Sequence, residues 1–157
     1  MAEDTSPAAR LEVLIHRVDP TLPLPTYATP GSVGFDLLCR EETTVEPGAI
    51  ALLPGNLIIR TPAGYALLIV PRSSTARRTG LTFPHSLGVI DQDYCGPDDE
   101  ILIQVRNTRA EPVVVARGER IAQGLFVPVA LAEWREVERP DGPSRGGFGS
   151  SQEPSRH

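Results

Sequence analysis

The chain has no lysine: all fifteen of its basic residues are arginine. Against twenty Asp and Glu this leaves a net charge of −5. No broad basic surface is therefore expected, which argues against duplex DNA or RNA as the main partner. No nucleic-acid partner is expected. The arginine bias is most simply a matter of genome composition, but guanidinium also matches phosphate oxygens two at a time, so the placement of particular arginines has to decide. Cysteine is scarce as well. Cys39 and Cys95 fall in no CxxC or Cys/His pattern, which excludes a disulfide framework and a thiolate metal site. They read as free thiols in a reducing compartment. No apolar run approaches the length of a bilayer span, and the opening MAEDTSPAAR is polar and acidic, unlike a signal peptide. A soluble cytoplasmic protein without a membrane partner is the expectation.

What is abundant is turn material. Sixteen prolines and fourteen glycines in 157 residues cut the chain into short strands and leave no room for long helices. One domain fits this length, which suffices to bury a core. Strand character appears in 11–18, 35–39, 49–53, 56–60, 65–70, 112–116 and 120–129, with turns such as EPG (46–48) and PAG (62–64) between them. In EILIQV (100–105), alternation puts Ile101, Ile103 and Val105 on one face and Leu102 and Gln104 on the other. STARRTG (74–80) is the one candidate short helix of the first half, and AEWREVE (132–138) reads as a last strand or a helical turn. The pattern predicts an all-β sandwich, jelly roll or barrel. Residues 1–10 read as a flexible lead-in, 11–138 as the β domain, and 139–157, rich in Gly, Ser and Pro, as a flexible arm that cannot bury enough apolar surface to fold alone.

Five segments break the strand pattern with residues that carry chemistry. In ATPGSVGFDL (28–37), Gly31 and Gly34 allow close backbone turns ahead of Asp36. PRSSTARR (71–78) sets Arg72, Ser73 and Ser74 before a possible helix, an arrangement that serves a phosphate chain or an ordinary helix cap. HSLGVIDQDYCG (85–96) ends a short apolar run, Gly88, Val89 and Ile90, in Asp91, a carboxylate able to orient and deprotonate a water. Its Tyr94 suits the flat face of a sugar or, as readily, a core. RGERIAQG (117–124) places Gln123 in an otherwise apolar strand, where a buried amide needs partners. SRGGFGSS (144–151) combines glycines with Arg145, Phe148, Ser150 and Ser151, a composition that can wrap phosphates once ordered.

In this order and spacing the five segments resemble the five motifs of the trimeric dUTPase family, over residues 11 to 151. The resemblance implies a distorted β jelly roll and a homotrimer whose sites lie between subunits, closed by the C-terminal arm. It implies hydrolysis of dUTP to dUMP and pyrophosphate with Mg²⁺ on the triphosphate. Asp91 then matches the water-activating carboxylate, and Tyr94 the ring that leaves no room for a 2′-hydroxyl. Arg72, Ser73, Ser74 and Gln123 match phosphate-side residues, and Asp36 an aspartate that reaches the metal through water. His85 with Gly88, Val89 and Ile90 occupies the uracil-facing hairpin. Phe148 is placed over the uracil, and Arg145, Ser150 and Ser151 on the β- and γ-phosphates.

The chain departs from the family pattern at three places. His85 stands where an asparagine is common. CGPDDE (95–100) puts Cys95 in place of an arginine and inserts Pro97, Asp98 and Asp99, which are expected to form a surface loop away from the phosphates. Arg145 lies only three residues before Phe148, which leaves Arg139 as the other candidate phosphate arginine. Two other readings stay open at this point. dCTP deaminase, alone or as a bifunctional deaminase–dUTPase, shares the fold but needs a glutamate where this chain has Gln104; a non-catalytic nucleotide-binding homologue is expected to have lost Asp91 or the arm.

Overall fold

A computed structural model of the chain describes residues 10–146 and holds, among them, eleven strands and one short helix. The strands are β1 (Leu14–Arg17), β2 (Phe35–Leu38), β3 (Thr43–Val45), β4 (Ile50–Pro54), β5 (Leu57–Arg60), β6 (Tyr65–Pro71), β7 (Leu81–Thr82), β8 (Gly88–Ile90), β9 (Leu102–Asn107), β10 (Val113–Val115) and β11 (Arg120–Pro128). The helix α1 spans Thr75–Thr79 and ends where Gly80 turns left-handed at φ 74°. Strands form wherever the alternation predicts them, with β9 shifted two residues toward the C-terminus of EILIQV. Residues 132–138 are the exception. They form neither a strand nor a helical turn and are exposed throughout, so their apolar side chains find no core to pack on.

All pairings are antiparallel. A four-stranded sheet runs β2-β11-β6-β8, a three-stranded one β4-β9-β7, and two ribbons pair β1 with β5 and β3 with β10. Each strand turns one face inward. Phe35 and Leu37 of β2, Ile103 and Val105 of β9, and Leu67 and Ile69 of β6 are buried, and they meet Leu53, Ile59, Leu81, Ile101, Val115 and Ile121 in one core. Each such side chain stabilises the fold by roughly 1.5–3 kcal/mol relative to exposure. The arrangement is all-β, as the turn-rich composition predicts, and of the distorted jelly-roll type that the family resemblance implies.

Two residues fix how the four-stranded sheet closes near its working end. A Cβ on Gly124 of β11 would stand 2.5 Å from the Phe35 ring, so glycine is what lets that ring cross the strand. Phe35 then packs edge-on to Tyr27 at 6.2 Å and tilted against Phe126 at 5.9 Å. Ile121 is the extra residue of a bulge between Arg120 and Ala122; such a bulge bends the strand and re-aims its side chains.

Candidate active site

The register of the four-stranded sheet brings three distant segments side by side. Gln123 of β11 pairs with Asp36 of β2 on one side and with Val70 of β6 on the other. Arg72 follows directly on the last residue of β6. Together with Ser73 and Ser74 these side chains line a cleft of about 160 Å³, floored by Gly34 and Ala28 and edged by Thr26. Asp36 anchors it: Arg72 Nε lies 2.7 Å from Asp36 Oδ1, and Arg120 reaches Oδ2 at 3.7 Å. Arg72 is thereby held in one orientation on a half-buried ion pair, with the rest of its guanidinium left to the cleft.

Beside Arg72 a neighbouring threonine does the structural work of the turn. Ser74 occupies the N-cap position of α1 but makes no side-chain cap bond. Thr75, buried, takes over: its Oγ accepts a bond from Arg72 N at 3.2 Å and donates to Ile121 O at 2.8 Å. The Arg72–Ser74 turn is thus locked to β11 from below. Composition gave no reason to single out Thr75; its position as the one hydroxyl of the segment facing the core is the signal that could have found it. Gln123 donates from Nε2 to Pro71 O at 3.3 Å, so the buried-amide expectation is met in part by protein. Its Oε1 lies 2.7 Å from where a Cβ of Gly34 would be. Gly34 is the residue that lets this amide turn into the cleft.

Asp91, Tyr94 and His85 lie elsewhere. β8 is the edge strand of the sheet, paired with β6 through Gly88↔Ile69, Val89↔Leu68 and Ile90↔Leu67. His85 sits in the turn before it, its ring stacked on Phe83 at 6.1 Å, next to Ser86 at φ 68°. Asp91 is exposed just past Ile90. Arg72 lies beyond the opposite end of β6, which at about 3.3 Å per residue puts it roughly 20 Å from Asp91. Within one chain the two groups of residues therefore stand apart.

The turn after Asp91 is held from the body of the domain. Tyr94 N donates to Asp91 O at 3.3 Å, and the Tyr94 hydroxyl donates to Glu100 O at 3.1 Å. Between them Pro97 and Asp98 are exposed, as expected for a surface loop. Gly96 N donates to Asp99 Oδ2 at 2.6 Å, closing the insertion into a tight turn. Cys95 shares this loop, whereas Cys39 is buried; burial raises the Cys39 thiol pKa and keeps it protonated.

Arg145 is exposed on irregular chain near the end of the described residues. Phe148, Ser150 and Ser151 lie outside them. Among the described residues no group of three or more His, Cys, Asp or Glu is gathered for a metal. Asp36 is the one carboxylate that the described residues bring to the cleft, and arginines engage it. That donor set fits Mg²⁺ carried by phosphate oxygens and water, and does not fit an all-protein cage.

A dUTPase family model matches residues 21–152. The deoxyuridine 5'-triphosphate nucleotidohydrolase of Desulfitobacterium hafniense (strain DSM 10664 / DCB-2) is 42% identical over 147 residues, which cover 90% of this chain and 95% of that one. The crystal structure of a dUTPase from Streptococcus mutans superposes with a TM-score of 0.72 at 35% identity, over 76% of this chain and 98% of that one. A mutant dUTPase from phage phi11 of S. aureus, described with a coordinated structural Mg(II) ion, shares the fold with a TM-score of 0.72 at 20% identity, over 82% of this chain and 98% of that one.

Proposed function

The chain belongs to the dUTPase family and is a dUTP diphosphatase; we propose that it splits dUTP into dUMP and pyrophosphate at sites shared between subunits, with Asp91 as the base. The observation that carries this reading is the convergence of Asp36, Arg72, Ser73, Ser74 and Gln123 on one cleft from three adjacent strands. Such a set of cationic, hydroxyl and amide donors suits a chain of phosphates. Asp91 takes a proton from water, whose oxygen bonds to the α-phosphorus in line. The bond from that phosphorus to the bridging oxygen of the β-phosphate breaks, and pyrophosphate leaves with the electron pair. A positioned carboxylate contributes typically ~10²–10⁴-fold to such a step.

The other residues bind and orient. Arg72 and the two serines take phosphate oxygens, while Tyr94 packs on the deoxyribose and excludes a 2′-hydroxyl. The hairpin of His85 and Gly88 to Ile90 reads uracil, and Phe148 covers it. Arg145, Ser150 and Ser151 of the arm, residues 139–157, grip the terminal phosphates. Asp36 and Gln123 would hold Mg²⁺ through water, and the metal when bound neutralises the leaving pyrophosphate.

A homotrimer is the assembly this reading takes. The roughly 20 Å between the half-sites of one chain supports it, since the hairpin then serves a neighbour's cleft. Exposed apolar surface supports it too: Ile50, Leu52 and Leu102 on the outer face of the three-stranded sheet, and Leu131 and Trp134 at 92% and 91% exposure, are residues an interface would cover. Two unpaired thiols and the lack, among the described residues, of a helix long and apolar enough to cross a membrane are consistent with a cytoplasmic enzyme.

The test is a panel of dNTPs and UTP with Mg²⁺, assayed separately for pyrophosphate and ammonia. Pyrophosphate is expected from dUTP alone, and is nearly abolished in Asp91→Asn and in a truncation before Ser144. An active Asp91→Asn enzyme would overturn the mechanism, and ammonia from dCTP would revive the deaminase reading.

A further inference from the structure

The insertion Pro97–Asp99 has a use that none of the five motifs supplies. It loops the chain so that the carbonyl of Glu100 comes back to the Tyr94 hydroxyl at 3.1 Å. Glu100 is the fixed point of that return. Its carboxylate accepts from Arg40 twice, Nε to Oε1 at 2.8 Å and Nη2 to Oε2 at 3.0 Å, and from the Asn56 backbone N–H at 2.8 Å. The Glu100 side chain is only 15% exposed. Asn56 is itself buried and bonded. It is 2% exposed at φ 66°, its Oδ1 accepts from Asp19 N at 2.6 Å, and its Nδ2 donates to Asp19 O at 3.2 Å. The next residue, Ile101, is fully buried; its N–H donates to Leu57 O and its carbonyl accepts from Gly55 N. A bidentate guanidinium–carboxylate pair is the most directional of protein ion pairs, and this one is backed by core on both sides. Tyr94, at 37% exposure on an edge hairpin, would otherwise be free to swing about its side-chain torsions.

We propose that Arg40 and Glu100 are positioning residues for Tyr94. They set the tilt of the ring that meets the nucleotide sugar, and so set discrimination between 2′-hydrogen and 2′-hydroxyl. The inference rests on the reading of Tyr94 as the sugar-facing residue. It concerns selectivity between sugars and leaves proton transfer at Asp91 untouched.

The readout is the ratio of kcat/KM for dUTP over UTP, measured on the full-length enzyme with Mg²⁺ for wild type, Tyr94→Ala, Tyr94→Phe, Arg40→Met and Arg40→Lys. A merely structural role for Arg40 would lower both activities together and leave the ratio alone. Tyr94→Ala is expected to collapse the ratio. Tyr94→Phe, which keeps the ring and removes only the tethering hydroxyl of an exposed residue, is expected to lower it about 3- to 10-fold, the worth of one net hydrogen bond. Arg40→Met is expected to match Tyr94→Phe, mainly through faster UTP turnover, with kcat for dUTP within about 3-fold, and Arg40→Lys, which keeps the charge but loses the fork, to fall between. A collapsed ratio in Tyr94→Ala with an unchanged ratio in both Tyr94→Phe and Arg40→Met overturns the tether and leaves the sugar-facing reading standing. An unchanged ratio in Tyr94→Ala overturns both. Tyr94→Phe keeps the outcome decisive even where Arg40→Met weakens the fold.

Discussion

The cleft and the hairpin, which the proposed function treats as two half-sites, are built on opposite plans. Around the cleft, functional groups are tied to one another: Arg72 to Asp36, Gln123 to the Pro71 carbonyl, and the serine turn to β11 through Thr75. Its geometry exists before any ligand arrives, and so the ordering cost of binding is small. On the hairpin, Asp91 and Val89 point into solvent from a sheet edge, and the Tyr94 hydroxyl is tied to the body of the domain through Glu100, which Arg40 and the Asn56 N–H hold. The contrast teaches that each plan suits a different task. Phosphates need fixed charge, whereas on the proposed reading a base and a sugar gate must reach a reacting atom held by a neighbouring chain.

The largest effect should come from separating the two halves genetically. Asp91→Asn is expected to lose about 10²–10⁴-fold in kcat, and Arg72→Ala to raise KM for dUTP and lower kcat with it. Mixed by co-expression or joint refolding, the two dead proteins should regain activity. Roughly one quarter of wild-type turnover is expected at equal amounts, the chance that an interface draws the intact half from each neighbour in a closed symmetric assembly. Pyrophosphate release in the mixture that stays at the level of the separate variants would place both halves in one chain's site and remove the contrast.

That division was only half legible in the sequence. Asp36, the Arg72–Ser74 run and Gln123 stand out by residue type alone, because each breaks an apolar stretch with a charged or polar group. Their meeting depends on register, since β2, β11 and β6 are adjacent only through pairings between residues more than fifty positions apart. Asp91 was legible as a carboxylate at a strand end, yet its distance from Arg72 is a property of the β6–β8 pairing. Arg40, Asn56 and Glu100 gave no signal, since an Arg–Glu pair sixty residues apart looks like two surface charges until the fold joins them. Residues 132–138 misled for the converse reason: Trp134 and Val137 suggest a last strand or a helical turn, but the segment stays irregular and exposed, and neither form is stable without apolar surface to bury.

A smaller effect probes how firmly the cleft is preset. Gly34→Ala would put a Cβ 2.7 Å from Gln123 Oε1. The clash is with the end of a side chain, so the amide should give way and the fold should hold within about 1 kcal/mol. Displacing that amide from the cleft is expected to raise KM for dUTP about 3- to 10-fold, as for one lost hydrogen bond, with the dUTP/UTP ratio unchanged because the sugar side is untouched. A shift in that ratio would show that the two halves are coupled where the contrast treats them as independent.

The smallest effect concerns the anchor behind the hairpin. The Asp19 carboxyl is held well below its ordinary value of 3.8, first by the Thr21 hydroxyl, then by Arg117 and the Thr21 backbone N–H. Its backbone is what Asn56 grips, and Asn56 in turn backs Glu100. A carboxyl whose pKa is depressed in the folded state contributes stability that is fully present above the unfolded value and is lost as pH falls through the folded one. Asp19→Asn should therefore lower Tm slightly at pH 7, and the gap from wild type should close on acidification below pH ~4. Because the group is exposed, salt should shrink the gap as well. Thermal unfolding at several pH values and two ionic strengths reads both. A gap that persists at low pH and high salt would show that Asp19 acts through the packing of its segment on Asn56, making the hairpin's anchor a matter of shape and not of charge.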